Sequence, residues 1–248
     1  MIKDFLSIIL IFSFFGCSYL EKKEQYKRIS IEDRKATEFF LKGEENRRKK
    51  LYEISLKNFY KAVKIYNKKF DYQKEFQTML KIGFIFTKTK NEIGFNNVIS
   101  RLELIKNKIN NGNNHIQFLY SLFYIENKEF NKADKILNEL SIDSKNSLLD
   151  RSYYLALRSK LSGHKDTKIA ELLKNNWKIA KLSFADVNNL ESPESILFIN
   201  KTLAIISLND NNIKDFNISI DNCEKIINFY EFTEFSNSII DLKQRILK

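Results

Sequence analysis

One proline and six glycines in 248 residues leave this chain few places to turn sharply or to interrupt a helix. Those two residues punctuate turns and break regular elements, so their scarcity favours long helices joined by short polar connections. The stripes along the chain agree. Leu51, Ser55, Phe59, Ala62 and Tyr66 recur at separations of three and four, as do Val98, Leu102, Ile105 and Ile109, and Phe130, Ala133, Leu137 and Leu140. Because 3.6 residues complete a helical turn, each set falls on one helix face. Polar breaks at 67–69, 110–114, 143–146, 162–166 and 209–212 separate such segments, and their length suits antiparallel helix pairs. Alternation of period two is missing, and Asn111-Gly112 lies in an Asn-rich break after a helical stripe, so strands are not expected. With 43% hydrophobic residues, 21 Phe and 11 Tyr, the chain has ample material for a packed all-α interior.

The amino terminus has a different pattern. Lys3 supplies a positive start, residues 5–15 are almost uninterruptedly apolar, and Gly16-Cys17 closes the run before Glu21-Lys22-Lys23-Glu24. That is the layout of a secretory signal peptide over 1–16, the apolar run being shorter than the roughly 20 residues that span a bilayer. The segment Phe14-Phe15-Gly16-Cys17 resembles a bacterial lipobox, with Phe14 where Leu is usual. The resemblance implies a thioether-linked diacylglycerol at Cys17, palmitate-type acylation, loss of the leader and a mature chain anchored by lipid to a membrane of the bacterial cell envelope. Residues 17–32, rich in Lys, Glu and Gln, then form a polar tether, and the folded helical domain is expected over 33–248. Lipid on Cys17 leaves Cys223 alone, which rules out an intramolecular disulfide. Its stripe, Phe216, Ile220, Cys223, Ile227 and Tyr230, marks it as a buried apolar side chain and not an activated thiol.

From Phe39 through Gly43 to Ser55, Phe59 and Ala62, the order of small and aromatic residues resembles a tetratricopeptide repeat, in which small residues let helices approach and aromatics fill the adjoining gap. Met79, Ile82, Gly83 and Phe86, followed by Phe95, Val98, Leu102 and Ile105, resemble a second unit, and Phe130 to Leu140 resemble the second helix of another. Tyr154, Leu157, Leu161, Ala170 and Trp177 give a looser match, and the pair near 194–230 a weaker one. Phe235, Ile239, Leu242 and Ile246 suit a capping helix. The resemblance implies an α-α superhelix of four to five helical hairpins with a C-terminal cap, acting as a protein-protein interaction scaffold or adaptor. In length and layout such a chain also resembles the lipoprotein subunit of the outer-membrane barrel-assembly complex, which is the alternative.

Parts for catalysis are not evident. His115 and His164 are the only histidines, both in polar surroundings that read as solvent-facing turns, so neither a His/Cys metal cluster nor a Ser-His-Asp set is expected. The glycines are isolated, which excludes a phosphate-cradling loop, and no cofactor is expected. Glu44-Glu45 and the pair Glu191 and Glu194 read as solvated charges. An enzyme is therefore not expected.

The formal charge of +11 survives loss of the leader, since Lys3 and Asp4 cancel. An AT-rich coding sequence also enriches Lys and Asn, so charge alone decides little. Lys22-Lys23, Lys27-Arg28 and Arg47 to Lys50 place positive groups near the anchor, where each contributes about 1 kcal/mol toward an anionic membrane surface. Export and the lack of a base-reading module argue against nucleic acid. The partners expected are other envelope proteins or peptides. The first helix of each repeat lines the concave face in tetratricopeptide arrays, and the resemblance puts Arg47, Arg48, Phe84, Lys88 and Phe118 there. Positive groups flanking aromatics suit an acidic peptide segment, and Arg47→Glu with Lys88→Glu is expected to be tolerated by the fold.

Overall fold

The computed structural model describes residues 30–110, 112–177, 182–183, 186–187 and 192–245. Among these residues every regular element is helical and no strand occurs, so the chain is all-α. In chain order the helices are α1 (Ile31–Arg48), α2 (Tyr52–Lys68), α3 (Tyr72–Lys88), α4 (Glu92–Ile105), α5 (Gly112–Glu126), α6 (Phe130–Ile142), α7 (Leu148–Leu161), α8 (Thr167–Asn176), α9 (Pro193–Asn209), α10 (Ile213–Tyr230) and α11 (Ser236–Gln244). Two compact units divide the chain between Ile136 and Leu137.

In the first unit α1 packs on α2, α2 on α3, and α3 on both α4 and α5. Phe59, Ile82, Phe95 and Leu102 of the predicted stripes are fully enclosed in its core, joined by Phe76 and Ile116. Gly43 and Gly83 set how closely these helices approach. A Cβ on Gly43 would stand 2.6 Å from two carbons of the Phe59 ring, and one on Gly83 would stand 2.6 Å from Leu119 Cδ2. Ser55 Oγ reinforces the first contact by donating to the Gly43 carbonyl at 2.7 Å. In the second unit α7 packs on α8 and α9, α9 on α10, and α10 on α11. Leu155, Leu173, Ile199 and Leu203 form one buried cluster there; Phe216, Ile220, Cys223 and Ile226 belong to another.

Six of the connections share one backbone device. After α1, the Lys50 N–H donates to the Arg47 carbonyl and the Leu51 N–H to the Asn46 carbonyl, while Lys50 itself is left-handed at φ 58°. This is a Schellman motif, which satisfies helix-end carbonyls and reverses the chain within three residues. It recurs with Phe70, Lys90, Lys128, Gly163 and Asn211 at the left-handed position. Entry into the next helix is fixed by side chains: Ser30, Asp71, Asn91, Ser147, Asp166 and Asn212 each accept from the backbone N–H three residues on.

The structure corrects several boundaries. The sequence reading carries the tether to residue 32, whereas α1 begins at Ile31 with Ser30 as its cap. The expected break at 110–114 is shorter, because α5 starts at Gly112. Phe130 does not continue the stripe inward; it occupies the first position of α6 and is 47% exposed. Leu51 is the cap position before α2 and is exposed as well. Ile246, Cys17 and the expected leader over 1–16 lie outside the described residues.

Candidate functional site

Three of the five residues expected on the partner-binding face come together in the first unit. Phe84, half-buried on α3, has the Arg47 guanidinium of α1 5.5 Å from its ring centroid and the Lys88 ammonium 5.6 Å from it. Cations over an aromatic face are attracted by its quadrupole. Arg48 is exposed at the end of α1, and Phe118 is half-buried on α5.

Both cations at the ring also have carboxylate partners that sequence reasoning missed. Arg47 donates from Nε and Nη2 to the two oxygens of Glu44, at 3.1 and 3.0 Å, and Lys81 Nζ of α3 stands 3.8 Å from the same carboxylate. Lys88 pairs with Glu126 of α5. These contacts tie α1, α3 and α5 side by side, joined by the ring contact of Phe76 with His115 at 6.1 Å. Glu44 is buried, contrary to its expected solvation. Burial by itself raises its carboxyl pKa, but Lys81, Arg47 and Arg48 outweigh that and hold it down at about 2. Arg47, Arg48 and Lys81 thus act on Glu44, and Lys88 on Glu126, beside the ring.

A second polar group lies deeper in the same unit. Glu75 has a fully buried side chain and receives Arg101 Nε at 2.6 Å and Asn67 Nδ2 at 3.3 Å. A carboxylate so enclosed is tolerable only with such partners.

The histidines differ from their expected positions. His115 is in helix α5 and partly buried, not in a solvent-facing turn, and burial pushes its imidazole down to about 4. His164 does lie in a turn, half-buried, with Nδ1 3.1 Å from Ser159 Oγ. Cys223 behaves as its stripe predicts: it is buried, its Sγ is 3.8 Å from the Leu197 carbonyl oxygen, and burial pushes the thiol up to about 12. A thiol in that state is a poor nucleophile. Of the carboxylates expected in solvent, Glu45 is exposed and pairs with Lys49, while Glu191 is outside the described residues. Among the described residues no three His, Cys, Asp or Glu side chains form a group that would hold a metal ion, and no helix is long and apolar enough to cross a membrane. Compared with protein-family models, with curated proteins and with solved structures, the chain shows no significant match.

Proposed function

We propose that this protein is a lipid-anchored protein of the bacterial cell envelope whose helical hairpins act as a tetratricopeptide-like scaffold for another envelope protein. The observation that carries the proposal is the Phe84 ring with Arg47 and Lys88 on it, placed where α1, α3 and α5 adjoin. Each of these is the first helix of its pair, the position that lines the binding face in the repeats this chain resembles. Half-buried aromatic surface supplies affinity, and the cations beside it favour an acidic segment and speed the encounter. Gly43 against Phe59 within the first hairpin, and Gly83 against Leu119 between the second and third, also support a repeat architecture, since small residues at such crossings let the helices approach.

The anchor and the scaffold are tested together in cells. Metabolic labelling with a fatty-acid analogue marks the full chain and leaves Cys17→Ala unlabelled. Cross-linking in intact envelopes then recovers one defined neighbour with the wild type, and recovery falls for Phe84→Ala. Label retained in Cys17→Ala refutes the anchor; unchanged recovery with Phe84→Ala refutes the binding face.

A further inference from the structure

We infer that the second unit contains a site for a soluble phosphate group, built from Lys160, His164 and Lys201. Lys160 is near the end of α7, and its ammonium stands 5.9 Å from the ring centroid of Phe198 on α9. Lys201 follows Phe198 by three residues, which puts the two on one face of α9. His164 sits in the turn after α7, held through Nδ1 by Ser159. Lys201, His164 and Phe198 are half-buried, whereas Lys160 is exposed.

Lys160 and Lys201 lie within electrostatic reach of each other and of His164, the Phe198 ring standing beside Lys160 and one helical turn from Lys201, and none of the three forms an ion pair with a carboxylate among the described residues. Other lysines of this unit do: Lys174 pairs with Asp210 at 2.6 Å, Lys225 with Asp221 at 2.9 Å and Lys243 with Glu224 at 2.7 Å. Asp241 of α11 acts on Lys201 only at longer range. Burial and then Lys160 disfavour the charge on Lys201; burial and then both lysines disfavour it on His164. Cations gathered without a counter-charge oppose folding, and a bound dianion reverses the sign of that interaction. Ammonium groups serve as point charges for phosphate, and a protonated His164 that donates Nδ1–H to Ser159 keeps Nε2–H for an oxyanion. The Phe198 ring supplies a low-dielectric wall on one side, which strengthens the attraction.

The test is calorimetric titration of the full chain with inorganic phosphate against chloride at equal ionic strength. Wild type and Lys243→Gln bind phosphate saturably, and the double variant Lys160→Gln, Lys201→Gln binds it at least tenfold more weakly. A melting experiment without phosphate separates this from damage to the fold: the double variant melts no lower than wild type, because two repelling charges are gone, yet phosphate no longer raises its melting temperature. No phosphate response above chloride, or an equal response in the double variant, overturns the proposal. Binding to phosphatidic-acid vesicles that the double variant loses, with no response to inorganic phosphate, overturns the soluble source.

Discussion

Gly43 lies so close to the Phe59 ring that a methyl group there would meet two ring carbons at 2.6 Å. Phe59 is fully buried, so its ring has no room to withdraw. In an unencumbered helix interior Gly→Ala is stabilising by about 1 kcal/mol. Here overpacking, which costs about 1–3 kcal/mol, opposes that gain and exceeds it. Gly43→Ala is therefore expected to lower stability by about 1 kcal/mol in urea unfolding. An increase in the unfolding midpoint would show that α1 and α2 can slide apart.

Acid should release the Glu44 pairing. Its carboxyl titrates at about 2 in the folded chain, against 4.5 ordinarily, so the folded state holds this group deprotonated where the unfolded state binds a proton. The contribution is fully present above about pH 4.5 and is lost as pH falls toward 2, with a total of about 3 kcal/mol. Comparing wild type with Glu44→Gln isolates it: the difference in stability between the two shrinks as pH falls through that window. A difference independent of pH between 6 and 2.5 would contradict the assignment.

The left-handed residues of the Schellman turns offer a gain. Lys90 has φ 54° and Phe70 has φ 57°, and Phe70 is 72% exposed, so its side chain gains little from packing. A side chain in this region costs roughly 1–2 kcal/mol, which glycine avoids at some expense in unfolded-state entropy. Lys90→Gly and Phe70→Gly should each stabilise by about 0.5–1 kcal/mol, read as a rise in melting temperature of the full chain. Ala at either position should bring no such gain, because it keeps the Cβ.

Helix identity and most of the core were legible because burial follows the three-and-four spacing; Ala62, Phe59 and Leu102 are all fully buried where the stripes put them. The connections at 49–51, 89–91 and 127–129 were not, since Lys fills the left-handed position where Gly would have signalled a stop. Glu44 was unreadable for another reason. Its partner Lys81 lies 37 positions away, and a carboxylate in a polar helix end looks solvated until the next helix covers it. His115 follows four Asn residues around Gly112 that resemble a loop, although Gly112 opens α5.

On the sequence, Arg47 and Lys88 belong to the expected binding face and a double reversal to Glu is expected to leave the chain folded; the structure changes that expectation for Arg47. Its side chain is only 15% exposed and it donates two bonds to Glu44, so a carboxylate at 47 would face a buried carboxylate. Removing one partner of such a pair is costly in itself, and Arg47→Glu should unfold the first unit before it reports on binding. Arg48→Gln with Lys88→Gln is the informative pair. Both residues are exposed, Arg47 and Lys81 remain on Glu44, and the neutral replacement avoids a like-charge contact with Glu126. The loss of an exposed ion pair costs the fold at most about 1 kcal/mol. Two steering charges, by contrast, should weaken partner capture roughly tenfold, equivalent to about 1.4 kcal/mol, with a shallower dependence on salt. The measurement is cross-linking yield of the same identified neighbour at two ionic strengths, alongside the melting temperature. A folded double variant with unchanged yield and unchanged salt dependence would place binding away from the α1, α3 and α5 face.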